Sequence, residues 1–209
     1  FFHPAKNRLV EIIGHEKVDQ GAFDAAWAAQ EAIGKTPIRS ADAPGFVVNR
    51  YFVPWLNEAV RLLEDGAADI ATIEWAAKKA FNIGMGPFEL MNVTGVPIAM
   101  HAANTLGAEL DDFYSPAAAL VNQVETIKEN WNLSGEPRKE KYAAVAERLL
   151  GVTFYVASKL VDEGVATIED ADIGARVGLR WSEGPFQLLN KVGVGEALRM
   201  VHETLAPYG

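Results

Sequence analysis

The chain repeats itself at one fixed spacing. Glu64-Asp65-Gly66 recurs as Asp162-Glu163-Gly164, and Gly86-Pro87-Phe88-Glu89-Leu90 as Gly184-Pro185-Phe186-Gln187-Leu188. Asn92 and Gly95 return as Asn190 and Gly193. Every pair lies 98 residues apart (164 − 66, 184 − 86, 190 − 92), with no gap between them. An ungapped register of that length is an internal duplication, and it commits most of the 209 residues to one structural unit built twice.

That unit reads as helical. Val53, Leu56, Ala59, Val60 and Leu63 form an apolar stripe that ends at Asp65-Gly66. A second helix is expected from Thr72 to Phe81, with Thr72 as a candidate N-cap and Ile73, Ala76, Ala77 and Ala80 on its buried side. Gly84 to Leu90 is a turn into a third helix, with Pro87 near the start, where a missing N–H costs nothing. The polar stretch from about Asn130 to Tyr142, with Gly135 and Pro137, is the natural linker between the copies.

The residues before the repeat have a different pattern. Leu9-Val10-Glu11-Ile12-Ile13 is a short apolar run closed by Gly14 and reads as a buried strand carrying one carboxylate. Gln20 to Ile33 has apolar residues at helical spacing, with Gly34 just past its end. Thr36 to Ser40 reads as a second strand. Two parallel strands and one helix do not make a sheet covered on both faces, so residues 1–41 are expected to be the tail of an α/β domain. The opening Phe-Phe-His-Pro, with no starting methionine, reads as a cut inside a longer protein.

Between the two regions lies Ala43 to Ala59. Pro44-Gly45 is a turn signal: proline fixes its own φ, and glycine permits φ > 0. In the apolar run that follows, Asn49 and Arg50 are the only strongly polar residues before Asn57. An amide placed there is either a satisfied core residue or a ligand contact. The second copy aligns Ala143 to Arg148 with this stretch and has no Pro-Gly-Phe, so any function of Asn49 belongs to the first copy. Glu11, flanked by Val10 and Ile12, either has a partner or points to water from a strand edge.

Composition narrows the chemistry. A net charge of −9 offers no basic surface for a nucleic acid, and the densest cluster, Arg138-Lys139-Glu140-Lys141, is broken by a glutamate. No apolar run approaches the roughly 20 residues that cross a bilayer. The absence of cysteine removes disulfides, thiolate nucleophiles and Cys-ligated zinc. His3, His15, His101 and His202 show no metal-ligand spacing. There is no GxGxxG, no Walker loop and no Gly-x-Ser-x-Gly elbow.

Several of these motifs, in this order, resemble the 3-hydroxyacyl-CoA dehydrogenases: Phe1-Phe2-His3-Pro4, Leu9 to Ile13, Gly34-Lys35-Thr36-Pro37, Pro44 to Arg50 and Gly86 to Leu90. The resemblance covers the chain to about Gly95, and the duplicated helical part looks like the arrangement in longer members of that family. It implies a mainly α fold, two repeated helical subdomains like the C-terminal domain of 6-phosphogluconate dehydrogenase, preceded by a β-α-β remnant of a Rossmann domain. The expected division is 1–41 for that remnant, 42–130 for the first helical copy and 131–209 for the second.

The implied activity is NAD-dependent oxidation of (S)-3-hydroxyacyl-CoA to 3-ketoacyl-CoA, as in fatty acid β-oxidation or 3-hydroxybutyryl-CoA metabolism, with a cytoplasmic homodimer as the expected assembly. In such enzymes a histidine takes the hydroxyl proton and a glutamate orients it; Glu11 matches that glutamate. Asn49 matches an asparagine near the reacting carbonyl. The family's histidine would fall one residue before Phe1, outside this chain, and its usual active-site asparagine is replaced here by His3, a candidate substrate contact. NAD would be held mainly by a domain absent from this chain, so the polypeptide alone is expected to be inactive. The alternative is a non-catalytic helical module for dimerisation or acyl-CoA binding.

Overall fold

A computed structural model describes residues 5–208. Strand β1 (Leu9–Gly14) and strand β2 (Thr36–Ala41) pair in parallel, with Leu9 opposite Thr36 and Gly14 opposite Ala41. Helix α1 (Gln20–Ala32) makes the crossover between them. Asp19 starts α1 by accepting a hydrogen bond from the Ala22 N–H, and Gly34 follows its end at φ 78°. The expected β-α-β unit is present, and the rest of the described chain is helical.

The first repeat comprises α2 (Val48–Glu64), α3 (Ile70–Phe81), α4 (Pro87–Thr94) and α5 (Val96–Glu109). A 3-10 turn at Asp112–Tyr114 and the short helix α6 (Ala118–Asn122) follow. The second repeat comprises α7 (Tyr142–Asp162), α8 (Ile168–Ile173), continued by a π turn at Gly174–Gly178, then α9 (Pro185–Val192) and α10 (Val194–Leu205). Thr72 is not the N-cap of α3. Asp69 is: its carboxylate accepts from the Thr72 N–H at 2.8 Å, and in the second repeat Thr167 does the same for Asp170 at 3.1 Å. An acceptor three residues before the amide it caps is the geometry that an N-terminal turn requires. Thr72 is fully buried, and its hydroxyl accepts from the Arg138 N–H instead.

The 98-residue spacing has a structural meaning that the motif alone does not reveal. Glu74 on α3 accepts hydrogen bonds from the N–H groups of Phe88 and Glu89, at the start of α4. Asp172 on α8 accepts from Phe186 at the start of α9. A Cβ on Gly86 would lie 2.5 Å from the Glu74 carboxylate, and one on Gly184 would lie 2.3 Å from that of Asp172. The Gly-Pro-Phe motif is therefore a docking notch. Glycine admits the carboxylate, proline gives up an N–H that needs no partner, and the next amides bind the acid.

The two repeats pack through α2 against α7, around Trp55, Phe81 and Trp181. Ion pairs cross between them reciprocally. Arg50 pairs with Glu163, and Arg148 pairs with Asp65; each partner is the other's equivalent at +98 (50 and 148, 65 and 163). The stretch read as a linker is exposed over residues 132–136 and 138–140 and is pinned at Trp131. Trp131 is buried edge-on against Phe88, and its backbone exchanges two hydrogen bonds with the Asn92 amide.

Candidate functional site

The site forms where the β-α-β unit meets the first helical repeat. The Pro44-Gly45-Phe46 turn places Gly45 at φ 75° and Phe46 at φ 48°. A side chain at Gly45 would be strained twice over: its Cβ would lie 2.9 Å from Leu106 and 3.1 Å from the Arg50 nitrogen. The turn brings the chain abruptly into α2, leaving the N–H groups of Val47 and Val48 pointing outward with no local cap. In the second repeat α7 instead runs as unbroken helix through the equivalent positions. The local sequence thus creates an open helix start in one repeat only.

Glu11 closes that start. Its Oε1 accepts from Val47 N at 2.8 Å and from Val48 N at 2.9 Å. A strand residue 36 positions upstream thereby caps the helix, and the positive end of the helix dipole faces the carboxylate. Both bonds use the same oxygen. Oε2 receives no hydrogen bond from the described residues and is left as an acceptor.

Tyr51, one turn along α2, is fully buried and donates its hydroxyl to the Ala171 carbonyl at 3.2 Å. Burial, with the negative charges of Glu11 and Asp172, pushes its pKa well up, so it remains a neutral donor. The second repeat is applied to the back of this region. Gly174 approaches Tyr51, Ile38 and Val48 closely enough that a Cβ would touch all three, and a Cβ on Gly178 would lie 2.7 Å from Leu9. Ala41 N also donates to Val165 O at 2.8 Å.

Asn49 occupies the first turn of α2 and is exposed, with no hydrogen bond to any described residue. It sits at the helix start that Glu11 caps. Its neighbour Arg50 turns inward, 1% exposed, to pair with Glu163 and to lie over the Tyr114 ring at 5.4 Å. Of the two polar residues in that apolar run, one is a structural anchor and the other faces out. The +98 match of Arg50 to Arg148 and of Asp65 to Glu163 was the available signal for that anchor. His3 lies outside the described residues. No group of three His, Asp or Glu side chains among the described residues could hold a metal ion. After β1 the chain reaches α1 through His15 to Asp19, without the glycine turn that would cradle a dinucleotide pyrophosphate.

The profile of the 3-hydroxyacyl-CoA dehydrogenase C-terminal domain matches residues 45–136 and again 145–208, and the chain belongs to that family. The fold is that of 3-hydroxybutyryl-CoA dehydrogenase from Escherichia coli K12, with a TM-score of 0.89 at 17% identity over the whole of this chain and 66% of that one. FadB2 of M. tuberculosis is 30% identical over 60% of this chain and 45% of its own, with a TM-score of 0.57. The (S)-3-hydroxybutyryl-CoA dehydrogenase PaaH1 of Ralstonia eutropha is 32% identical over 57% of this chain and 42% of its own, with a TM-score of 0.55. The chain thus spans 66% of the length of the first of these and less than half of the other two.

Proposed function

We propose that this chain is the C-terminal portion of an NAD-dependent (S)-3-hydroxyacyl-CoA dehydrogenase that oxidises a 3-hydroxyacyl-CoA to the 3-ketoacyl-CoA. The observation that carries the reading is the division of labour within one carboxylate. Glu11 Oε1 is held by two backbone amides, while Oε2 accepts nothing from the described residues. A carboxylate fixed in this way can receive an imidazole N–H and stabilise the imidazolium formed when the histidine takes a hydroxyl proton. In this reading the histidine precedes Phe1 in the longer protein. Asn49 offers an amide donor to the substrate oxygen as negative charge develops there. The hydride acceptor would be NAD, held mainly by a domain outside this chain.

The same proposal carries the division into 1–41, 42–130 and 131–209, a cytoplasmic homodimer, and a place for His3 beside the substrate. It is tested in the longer protein containing this chain, by NADH oxidation with acetoacetyl-CoA. Glu11→Gln is expected to lower kcat by about 10²–10⁴ with little change in KM, the range of a lost acid–base partnership. Absence of turnover in the unsubstituted protein, with acyl-CoA still bound, would replace this reading by a binding module. Unchanged turnover in Glu11→Gln would remove Glu11 from the mechanism.

A further inference from the structure

The duplication gives each repeat the same three-helix groove, between α2, α4 and α5 in the first and between α7, α9 and α10 in the second. In the first repeat the chain fills its own groove. After α5, a 3-10 turn, an extended stretch through Ser115 and Ala117, and α6 fold back over it and bury Ala117 and Leu120, while the buried Phe113 ring meets Tyr155 and Tyr208 of the second repeat. Three residues of α2 tie that segment down. Arg61 donates to the carbonyls of Phe113 and Ser115, the Asn57 amide holds Ser115 O and Ala117 N, and Glu64 accepts from Ala119 N at the start of α6.

The second groove has no such cover among the described residues. It is an open cavity of about 590 Å³, lined by Phe154, Phe186, Leu189, Val194, Leu198 and Val201 among others. Val194 is 70% exposed, whereas its equivalent Val96 is 3% exposed; Ser158 is exposed, whereas its equivalent Val60 is fully buried.

We infer that the groove between α7, α9 and α10 binds an amphipathic polypeptide segment with the chemistry of residues 111–124, an aromatic turn followed by a short apolar helix. Charge complementarity supports this occupant, because the rim keeps like-charged groups at two of the three positions that hold the first segment. Asp162 stands at the position of Glu64, placed to accept from the N-terminal amides of a docked helix. Lys159 stands at the position of Arg61, placed to donate to its preceding carbonyls, and its ion-pair partner among the described residues is the neighbouring Glu163 at 3.5 Å. The Asn57 position is taken by Tyr155, whose ring already meets Phe113 at 5.0 Å. The amide clamp is therefore not repeated, and the docked segment is held by apolar side chains and the two rim charges.

The test is a fluorescein-labelled peptide of residues 111–128, titrated with this chain and followed by anisotropy. Saturable binding is expected, weakened roughly tenfold or more by Leu198→Lys and by Val194→Glu. Both positions are more than half exposed, so neither change disturbs the core. Asp162→Lys should weaken it as well, with a stronger effect at low salt. No saturation by roughly 1 mM protein would overturn the inference. So would binding that all three variants leave intact. Peptide binding lost to self-association that Leu198→Lys abolishes would make a second copy the occupant, and displacement by a long-chain acyl-CoA would make it an acyl chain; either overturns the polypeptide assignment.

Discussion

Replacing Glu11 tests whether its carboxylate builds the helix start, independently of any catalysis. The amides of Val47 and Val48 belong to residues 0% and 8% exposed, and Glu11 is their acceptor. Glu11→Ala leaves both donors without a partner, at about 1–3 kcal/mol for each buried group left unsatisfied. Water entering the space of the missing side chain offsets part of that, so roughly 2–4 kcal/mol is expected. Glu11→Gln keeps an oxygen in place and loses only the charge facing the helix dipole and the charge-assisted part of two bonds, about 1–2 kcal/mol. Urea denaturation of this chain, followed through the Trp55–Trp181 cluster, reads both. The order alanine, then glutamine, then parent is the signature. If Glu11→Ala falls within about 0.5 kcal/mol of the parent, the cap contributes nothing and Glu11 is merely near the helix.

Two further outcomes follow from the same structure. Burial outweighs the amide bonds from Phe88 and Glu89 and the nearby Lys78, and holds the Glu74 pKa above the ordinary glutamate range. A folded-state value above the unfolded one gives stability that is present at low pH and lost as pH rises through the folded pKa. Glu74→Gln, which keeps an acceptor for the α4 amides, should therefore gain on the parent as pH rises above the ordinary glutamate range in urea titrations. A variant that falls further behind as pH rises would show that the ionised form is the favoured one. Glu58 is 0% exposed and is held by Arg148 at 2.7 Å and by Arg61 at 3.4 Å, so Arg148→Met should cost about 3 kcal/mol. Adding Glu58→Val should recover most of the loss in a double-mutant cycle, since the equivalent position in the second repeat is the buried Val156. Additive losses would show that the two residues do not act as a pair.

Local signals in the sequence determined much of this protein. The period of the apolar residues set helix against strand, Pro44-Gly45 set the break before α2, and the constant offset of 98 set two like units. Those features act over a few residues or repeat identically, so one sequence displays them. Thr72 shows the limit even locally: a good cap residue was passed over because Asp69 stood three positions earlier with the better geometry.

What the tertiary structure decided were the contacts between distant segments. That Glu11 caps a helix 36 residues on, that Arg50 faces inward while Asn49 faces out, and that Glu74 and Asp172 fill the notches at Gly86 and Gly184 depend on which elements meet. So does the difference between the two grooves, identical in sequence register but covered in one repeat and open in the other. A single chain records propensity at each position, whereas burial and pairing are properties of two positions brought together. Here the energetically decisive groups are carboxylates and guanidinium groups that would be ordinary surface residues in any other packing.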